Sequence, residues 1–280
     1  MAIILFHTNT EIPKHLIDCV VKIRQYSKIP IYLLTDSIEK IDGTVHISTK
    51  QYEQFNWLDD LNYFNGNDNL SKMWRTSCFR LFYIQQFLKD KQLKNILHFD
   101  NDVLLYENPE KIIELMDNLY DNFAITPHNS DEVVMGMSYI KNENSIDGLV
   151  SFIENQLKID SYILSNKYGG YPSEMRLISA YNQIEMIPIL PDSLSENRYT
   201  NNYRKFKSVF DPSSYGQYIG GTYSDKKPGW FGVHQEIGKF IANNDIEIIF
   251  EDRNPYLILK EQKIKINNLH IHSKQTEKYL

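Results

Sequence analysis

Residues 94–106 read KNILHFDNDVLLY. Ile96 to Phe99 form an apolar run of strand length, and two carboxylates, Asp100 and Asp102, follow it directly. A buried strand has no use for two carboxylates unless something compensates them. Ligands of open parallel sheets lie outside the carboxyl ends of the strands. A pair of acids there can hold Mg²⁺ or Mn²⁺, which in turn neutralises a diphosphate. D-x-D alone is a weak motif, and a plain acidic turn, or a cap for the helix entered at Pro109 and Glu110, is the competing reading.

Outward from this strand the pattern is α/β. The preceding LSKMWRTSCFRLFYIQQFLKD, residues 70–90, is a helix with Trp74, Cys78, Leu81, Ile84 and Leu88 on one face. Near the start, Ile3 to His7 read as a strand. Ile12, Leu16, Cys19, Val20 and Ile23 follow at helical spacing, and IPIYLLTD, residues 29–36, is a second strand. Strand, helix, strand is the signature of a parallel unit, and VHIST adds a third strand. No G-x-G-x-x-G and no G-x-x-x-x-G-K-[ST] follows the first strand, which argues against a dinucleotide fingerprint and a P-loop.

Residues 51–69 read as a loop with a short helix. Beyond the acidic turn come a helix opened by Pro109, strands FAITP and VVMGMSYIK, and a helix IDGLVSFIENQL. A Gly-rich aromatic turn, Tyr168 to Tyr171, precedes a helix SEMRLISAYNQ. IEMIPILP reads as an edge strand, Asp192 to Tyr218 as irregular chain, and HQEIGKFIANN and IEIIF as a last helix and strand. With no repeat and no linker, residues 1–280 are expected to form one domain.

Composition narrows the function. Lys and Arg number 30 against 36 Asp and Glu, a net charge of −6, which disfavours a general nucleic-acid binder. Cys19 and Cys78, the only cysteines, sit in apolar helical patterns and are expected as buried free thiols. No apolar run reaches membrane-helix length, and MAIILFHTN lacks the basic start of a signal peptide. The cytoplasm is the expected location.

Near the other end stands NLHIHSK, where His270, His272 and Lys274 share strand parity. Histidine completes carboxylate sites for Mn²⁺-like ions, and His270 is the first candidate. Two unremarkable histidines in a surface tail are the alternative.

At these residues the chain resembles the GT-A glycosyltransferases. HFDNDVLLY, with the helix KMWRTSCFRLFYIQQFL before it, looks like their metal-binding core. INNLHIHSK and FDPSSYGQYIGG are similar to a little-characterised branch from bacteria and large DNA viruses. The resemblance implies one α/β GT-A domain with a mostly parallel central sheet flanked by helices. It implies a donor-binding half, about residues 1–106, and an acceptor-binding half, about 107–280. It makes Asp100, Asp102 and His270 the ligands of Mn²⁺ or Mg²⁺, and Lys274 a phosphate contact. A basic residue of the helix at 70–90 would reach the diphosphate or donor sugar. Lys72 and Arg75 share a face and are the candidates, while Arg80 is expected to project elsewhere.

The donor base and ribose need a pocket at the first strand ends, which His7, Thr8, Asn9, Thr35 and Asp36 supply. Turn capping is the bland role for Thr8 and Asp36. An inverting enzyme also needs a base, and Glu174, following GGYPS at a helix start, is the candidate. First-turn helix stabilisation is its alternative. Trp230 or Tyr223 can stack on a sugar, and Gly220 and Gly221 allow close backbone approach. The expected reaction is metal-dependent transfer of a hexose from a nucleotide sugar, UDP favoured and GDP open, to a saccharide or glycan hydroxyl. A nucleotide-sugar hydrolase, a sugar nucleotidyltransferase and a non-catalytic carbohydrate-binding protein are the rivals.

Overall fold

A computed structural model describes residues 1–61, 69–129, 132–159, 163, 166–167, 172–194, 201–222 and 226–280. In chain order the elements are β1 (Ala2–His7), α1 (Lys14–Tyr26), β2 (Ile31–Thr35), β3 (Val45–Ile47), α2 (Asn69–Lys91), β4 (Ile96–Phe99), β5 (Val103–Leu105), α3 (Pro109–Leu119), β6 (Phe123–Pro127), β7 (Val133–Ile140) and α4 (Asp147–Leu157). They continue with α5 (Glu174–Asn182), α6 (Tyr203–Phe206), β8 (Ser208–Val209), α7 (Ser214–Gly220), α8 (Glu236–Asn243), β9 (Ile246–Glu251), β10 (Asn254–Leu259), β11 (Gln262–Ile266) and β12 (Asn268–His270).

The central sheet has six strands in the order β3-β2-β1-β4-β7-β6. β3, β2, β1 and β4 run parallel, and only β7 is reversed against its neighbours. The mostly parallel, helix-flanked α/β sheet expected from the sequence is the architecture observed.

Alternation along β1 divides the core into two layers. Ala2, Ile4 and Phe6 pack on one side against Cys78, Leu81, Phe82 and Ile84 of α2, with α4 and α5 completing that layer. Ile3 and Leu5 pack on the other against Leu16, Cys19, Val20 and Ile23 of α1 and Ile112, Ile113 and Met116 of α3. Helix entries follow their local chemistry. Asn108 caps α3 by accepting from Lys111 N–H at 3.0 Å, with Pro109 at the first helical position, where its missing N–H costs nothing. Cys19 and Cys78 are buried and free, as expected. No described helix is long and apolar enough to cross a membrane.

β4 ends at Phe99 as expected, and after the acidic turn the residues Val103–Leu105 form β5, a strand that the sequence reading did not separate, which leaves for a second sheet and pairs antiparallel with β12. Two expectations are corrected. The stretch from Asp192 to Tyr218 is not wholly irregular. Among its described residues it holds α6, β8 and most of α7. IEMIPILP makes only an isolated bridge, Ile125 to Ile189. A four-stranded sheet, β8-β11-β10-β9, closes the C-terminal side around a third core of Leu104, Tyr106, Tyr215, Ile237 and Leu269. The Gly-rich turn Tyr168 to Tyr171 lies outside the described residues.

Candidate metal and donor site

The carboxyl ends of β1, β2 and β4 share one edge of the sheet, and the acidic turn stands there. Val103 N–H donates to the Asp100 carbonyl at 3.1 Å and closes the turn. β12 then brings the far end of the chain alongside. His270 pairs with Val103, and Ile271 N–H donates to the Asp102 carbonyl at 3.0 Å. The imidazole of His270 thereby reaches both carboxylates. Its Nε2 is 3.1 Å from Asp102 Oδ1 and 3.7 Å from Asp100 Oδ2. One ligand atom from each of the three residues lies within 4.8 Å of the others.

Two cations border the trio. Lys274 donates to Asp102 Oδ2, and Arg80 donates to Asp100 Oδ1. Burial would raise Asp100, but Arg80 and His270 hold it below the usual carboxylate range. Asp102, 1% exposed, is held well below it by His270 and Lys274 against the same burial. Burial would lower His270, yet the two carboxylates outweigh it and raise the imidazole to about 9. His272 lies outside β12, its ring 5.0 Å from that of His270, and burial beside that neighbour drives it down to about 4.

This donor set fits a divalent cation. Two carboxylates and an imidazole are the ligand types of Mn²⁺-like sites. The orientation fits as well: His270 Nδ1 lies 3.3 Å from the Pro212 carbonyl, which can only accept, so Nδ1 carries a proton and Nε2 is the nitrogen facing the acids.

Arg80 corrects an expectation. It was to project away from the site, but it is the basic residue of α2 that reaches Asp100. Its Nη2 also donates to both oxygens of Glu174, each at 2.8 Å. Its position is legible afterwards: Arg80 shares a helical stripe with Ile84 and Phe87, both fully buried, where a lone cation demands partners. Arg75 instead lays its guanidinium over the Phe79 ring, 5.2 Å from the centroid. The side chain of Lys72 and all of Tyr223 lie outside the described residues. Glu174 opens α5 as expected, with Ser173 as its cap, but it is 3% exposed and turned onto Arg80. Burial pushes its carboxyl up to about 7 against the pull of the guanidinium.

The strand-end residues divide. His7 closes β1 beside the turn: its Nε2–H donates to the Glu11 carbonyl at 2.8 Å, and Nδ1 lies 3.4 Å from Asn101 Nδ2. Thr8 Oγ1 lies 3.4 Å from Thr76 Oγ1 on α2, and Asn9 is exposed. Thr35 is buried and accepts from Ser37 N–H at 3.1 Å. Asp36 spends its carboxylate on a turn, accepting from Ser48 Oγ at 2.9 Å, Thr49 Oγ1 at 2.6 Å and Lys50 N–H at 3.2 Å. That is the capping role rather than an open acceptor. Trp230 carries the Lys226 ammonium 3.7 Å from its ring centroid, and Gly221 adopts φ 73° just beyond α7.

No protein-family model matches the chain, and no curated protein matches it in sequence. In the path of the chain it is similar to several solved structures. The apo form of mouse xyloside xylosyltransferase 1 aligns over 68% of this chain and 83% of that one, at 10% identity and a TM-score of 0.47. The galactosyltransferase LgtC in complex with donor and acceptor sugar analogs aligns over 68% and 73%, at 12% identity and a TM-score of 0.42. A glycosyltransferase involved in glycosylation of the major capsid of PBCV-1 aligns over 75% and 85%, at 13% identity and a TM-score of 0.36.

Proposed function

We propose that the chain is a metal-dependent glycosyltransferase that moves a hexose from a nucleotide diphosphate sugar, UDP-linked before GDP-linked, to a saccharide or glycan hydroxyl. The observation that carries this reading is the convergence of Asp100, Asp102 and His270 at the carboxyl edge of the sheet, with ligand atoms within 4.8 Å of one another. A divalent ion held there, Mn²⁺ or Mg²⁺, would supply positive charge to the departing diphosphate.

The chain's own residues do the rest. Lys274, 41% exposed at its side chain, is the cation able to leave Asp102 and meet a phosphate oxygen. Arg80 and Glu174 are buried beneath Asp100 and hold its carboxylate in place. We therefore read Glu174 as a positioning residue rather than the acceptor's base. His7 at the end of β1 with Thr8 and Asn9 beyond it, and Thr35 at the end of β2, stand at the edge where a nucleoside would lie. In this reading the donor half, 1–106, is completed by His270 and Lys274 from the acceptor half, 107–280.

The test incubates the purified chain with UDP- and GDP-hexoses, with and without saccharide acceptors, and quantifies free nucleotide and glycosylated product. The expected result is product that requires both acceptor and Mn²⁺. Nucleotide release indifferent to acceptor would make the chain a hydrolase. Neither nucleotide binding nor turnover would leave a non-catalytic carbohydrate-binding protein.

A further inference from the structure

His270 is held on its backbone and on its ring, and the hold comes from one segment. Its N–H donates to Asp211 Oδ2 at 3.0 Å, and its Nδ1–H donates to the Pro212 carbonyl at 3.3 Å. Asp211 is fully buried. Its carboxylate accepts from Ser213 N–H at 3.0 Å and Tyr215 N–H at 2.9 Å through Oδ1, and from Gly216 N–H at 2.8 Å through Oδ2. One side chain thus caps α7 with three N–H groups and clamps that helix to the strand bearing His270 with the fourth. Asn268 ties the same two segments, accepting from Asp211 N–H at 3.1 Å and donating to its carbonyl at 2.9 Å.

A helix cap alone does not require this. Serine or threonine caps a helix with far less desolvation than a buried carboxylate. What a hydroxyl lacks is the second oxygen, and here that oxygen reaches His270. Two glycines make the approach possible. A Cβ on Gly216 would collide with the His270 carbonyl. A Cβ on Gly136, in β7, would stand 2.5 Å from the Pro212 oxygen and 3.4 Å from His270 Nδ1.

We propose that Asp211 is a positioning residue for the cation site: with the Pro212 carbonyl, and with Gly136 and Gly216 giving it room, it locks His270 so that Nε2 is presented to Asp100 and Asp102. The inference rests on the metal reading above and assigns a role to the FDPSSYG segment that the proposed reaction leaves without one. Partners of this kind, holding a ligand without touching the metal, typically change affinity about 10–100-fold when lost.

The test measures Mn²⁺ affinity of the full chain by EPR, with pulsed EPR to read the ¹⁴N modulation from His270. Asp211→Asn puts a donating NH₂ against N–H groups. Gly136→Ala crowds the Pro212 carbonyl and leaves the Asp211 carboxylate alone. Ile241→Val, in the C-terminal core, is the buried control. Asp211→Asn and Gly136→Ala should each weaken Mn²⁺ binding about 10–100-fold and reduce the ¹⁴N modulation while circular dichroism is unchanged. The control should alter neither. A folded Asp211→Asn with a lower Tm but unchanged affinity and modulation makes Asp211 a helix cap only and overturns the proposal. If that variant does not fold, Gly136→Ala decides by the same criteria. A wild-type chain that binds no Mn²⁺, or binds it equally after His270→Ala, removes the metal reading itself, and this inference with it.

Discussion

Nε2 of His270 stands 3.1 Å from Oδ1 of Asp102 because β12 and β5 are antiparallel and in register. His270, the last residue of β12, lies opposite Val103, the first residue of β5 and the one after Asp102. Backbone pairing brings the two residues together, and the Pro212 carbonyl on Nδ1 turns the ring toward the acids. The imidazole therefore has its place before any ion arrives.

Asp102→Asn is expected to reduce Mn²⁺ affinity by more than the roughly 10–100-fold typical of an indirect partner, since it removes a ligand charge and the Lys274 partner together. Chelation should abolish transfer, and Mn²⁺ should restore it at least as well as Mg²⁺. EPR titration and the transfer assay read both. A folded variant with native Mn²⁺ affinity would exclude Asp102 from the ion's ligands.

Metal and nucleotide should strengthen each other's binding. Arg80 and Lys274 already pair with the two carboxylates, so little net negative charge is left to draw in a free dication. A diphosphate brings that charge. The coupling is expected in the common range of about 5–150-fold and is reciprocal. Lys274→Met should tighten Mn²⁺ binding without nucleotide, weaken binding of UDP, and shrink the coupling. Titrations of Mn²⁺ with and without UDP measure all three. Equal Mn²⁺ affinity in both titrations of the wild type would defeat the charge argument.

Arg80→Met strands two carboxylates, one of them 3% exposed, and should cost about 3–5 kcal/mol in urea unfolding. Glu174→Gln should cost less, because its carbonyl oxygen still accepts from Nη2. As a positioning variant, Glu174→Gln should lower Mn²⁺ affinity and turnover together. A loss of roughly 10²–10⁴-fold in kcat with metal and donor binding intact would instead restore the general-base role.

Lys22 is fully buried, its ammonium 4.4 Å from the Tyr106 ring centroid, with no hydrogen-bond partner among the described residues. Burial, helped by Arg253, lowers it from 10.5 to about 8. Between pH 8 and 10.5 the unfolded chain holds this proton and the folded chain does not, so stability contributed by Lys22 rises with pH across that window. Below pH 8 the penalty is present in full. Lys22→Met should therefore raise Tm at pH 7, and its advantage should shrink toward pH 10. An advantage that stays constant across the window would show that the lysine does not titrate there.

Periodicity along the chain was enough to predict β1, α1, β2 and the helix at 70–90, because each buries a face whose spacing is written locally. The acidic turn was legible for a related reason: Asp100 and Asp102 break an apolar run where burial would otherwise be costly. Parity in NLHIHSK grouped His270, His272 and Lys274, and the family resemblance favoured His270, the one of the three that lies on β12. What sequence reading missed depends on which segment meets which. Helical spacing shows that Arg80 points away from Arg75, but only the packing of α2 on the sheet turns that direction toward Asp100 and Glu174. Asp211 sits in a stretch with no period of its own, and its meaning comes from a strand far along the chain. The break between β4 and β5 belongs to the same class, since β5 leaves the central sheet to pair with β12. Local spacing determined the elements and nominated the ligands. Long-range backbone pairing decided that they meet: each strand's pattern shows which face is buried, but which strand it pairs with is set only when the whole core comes together.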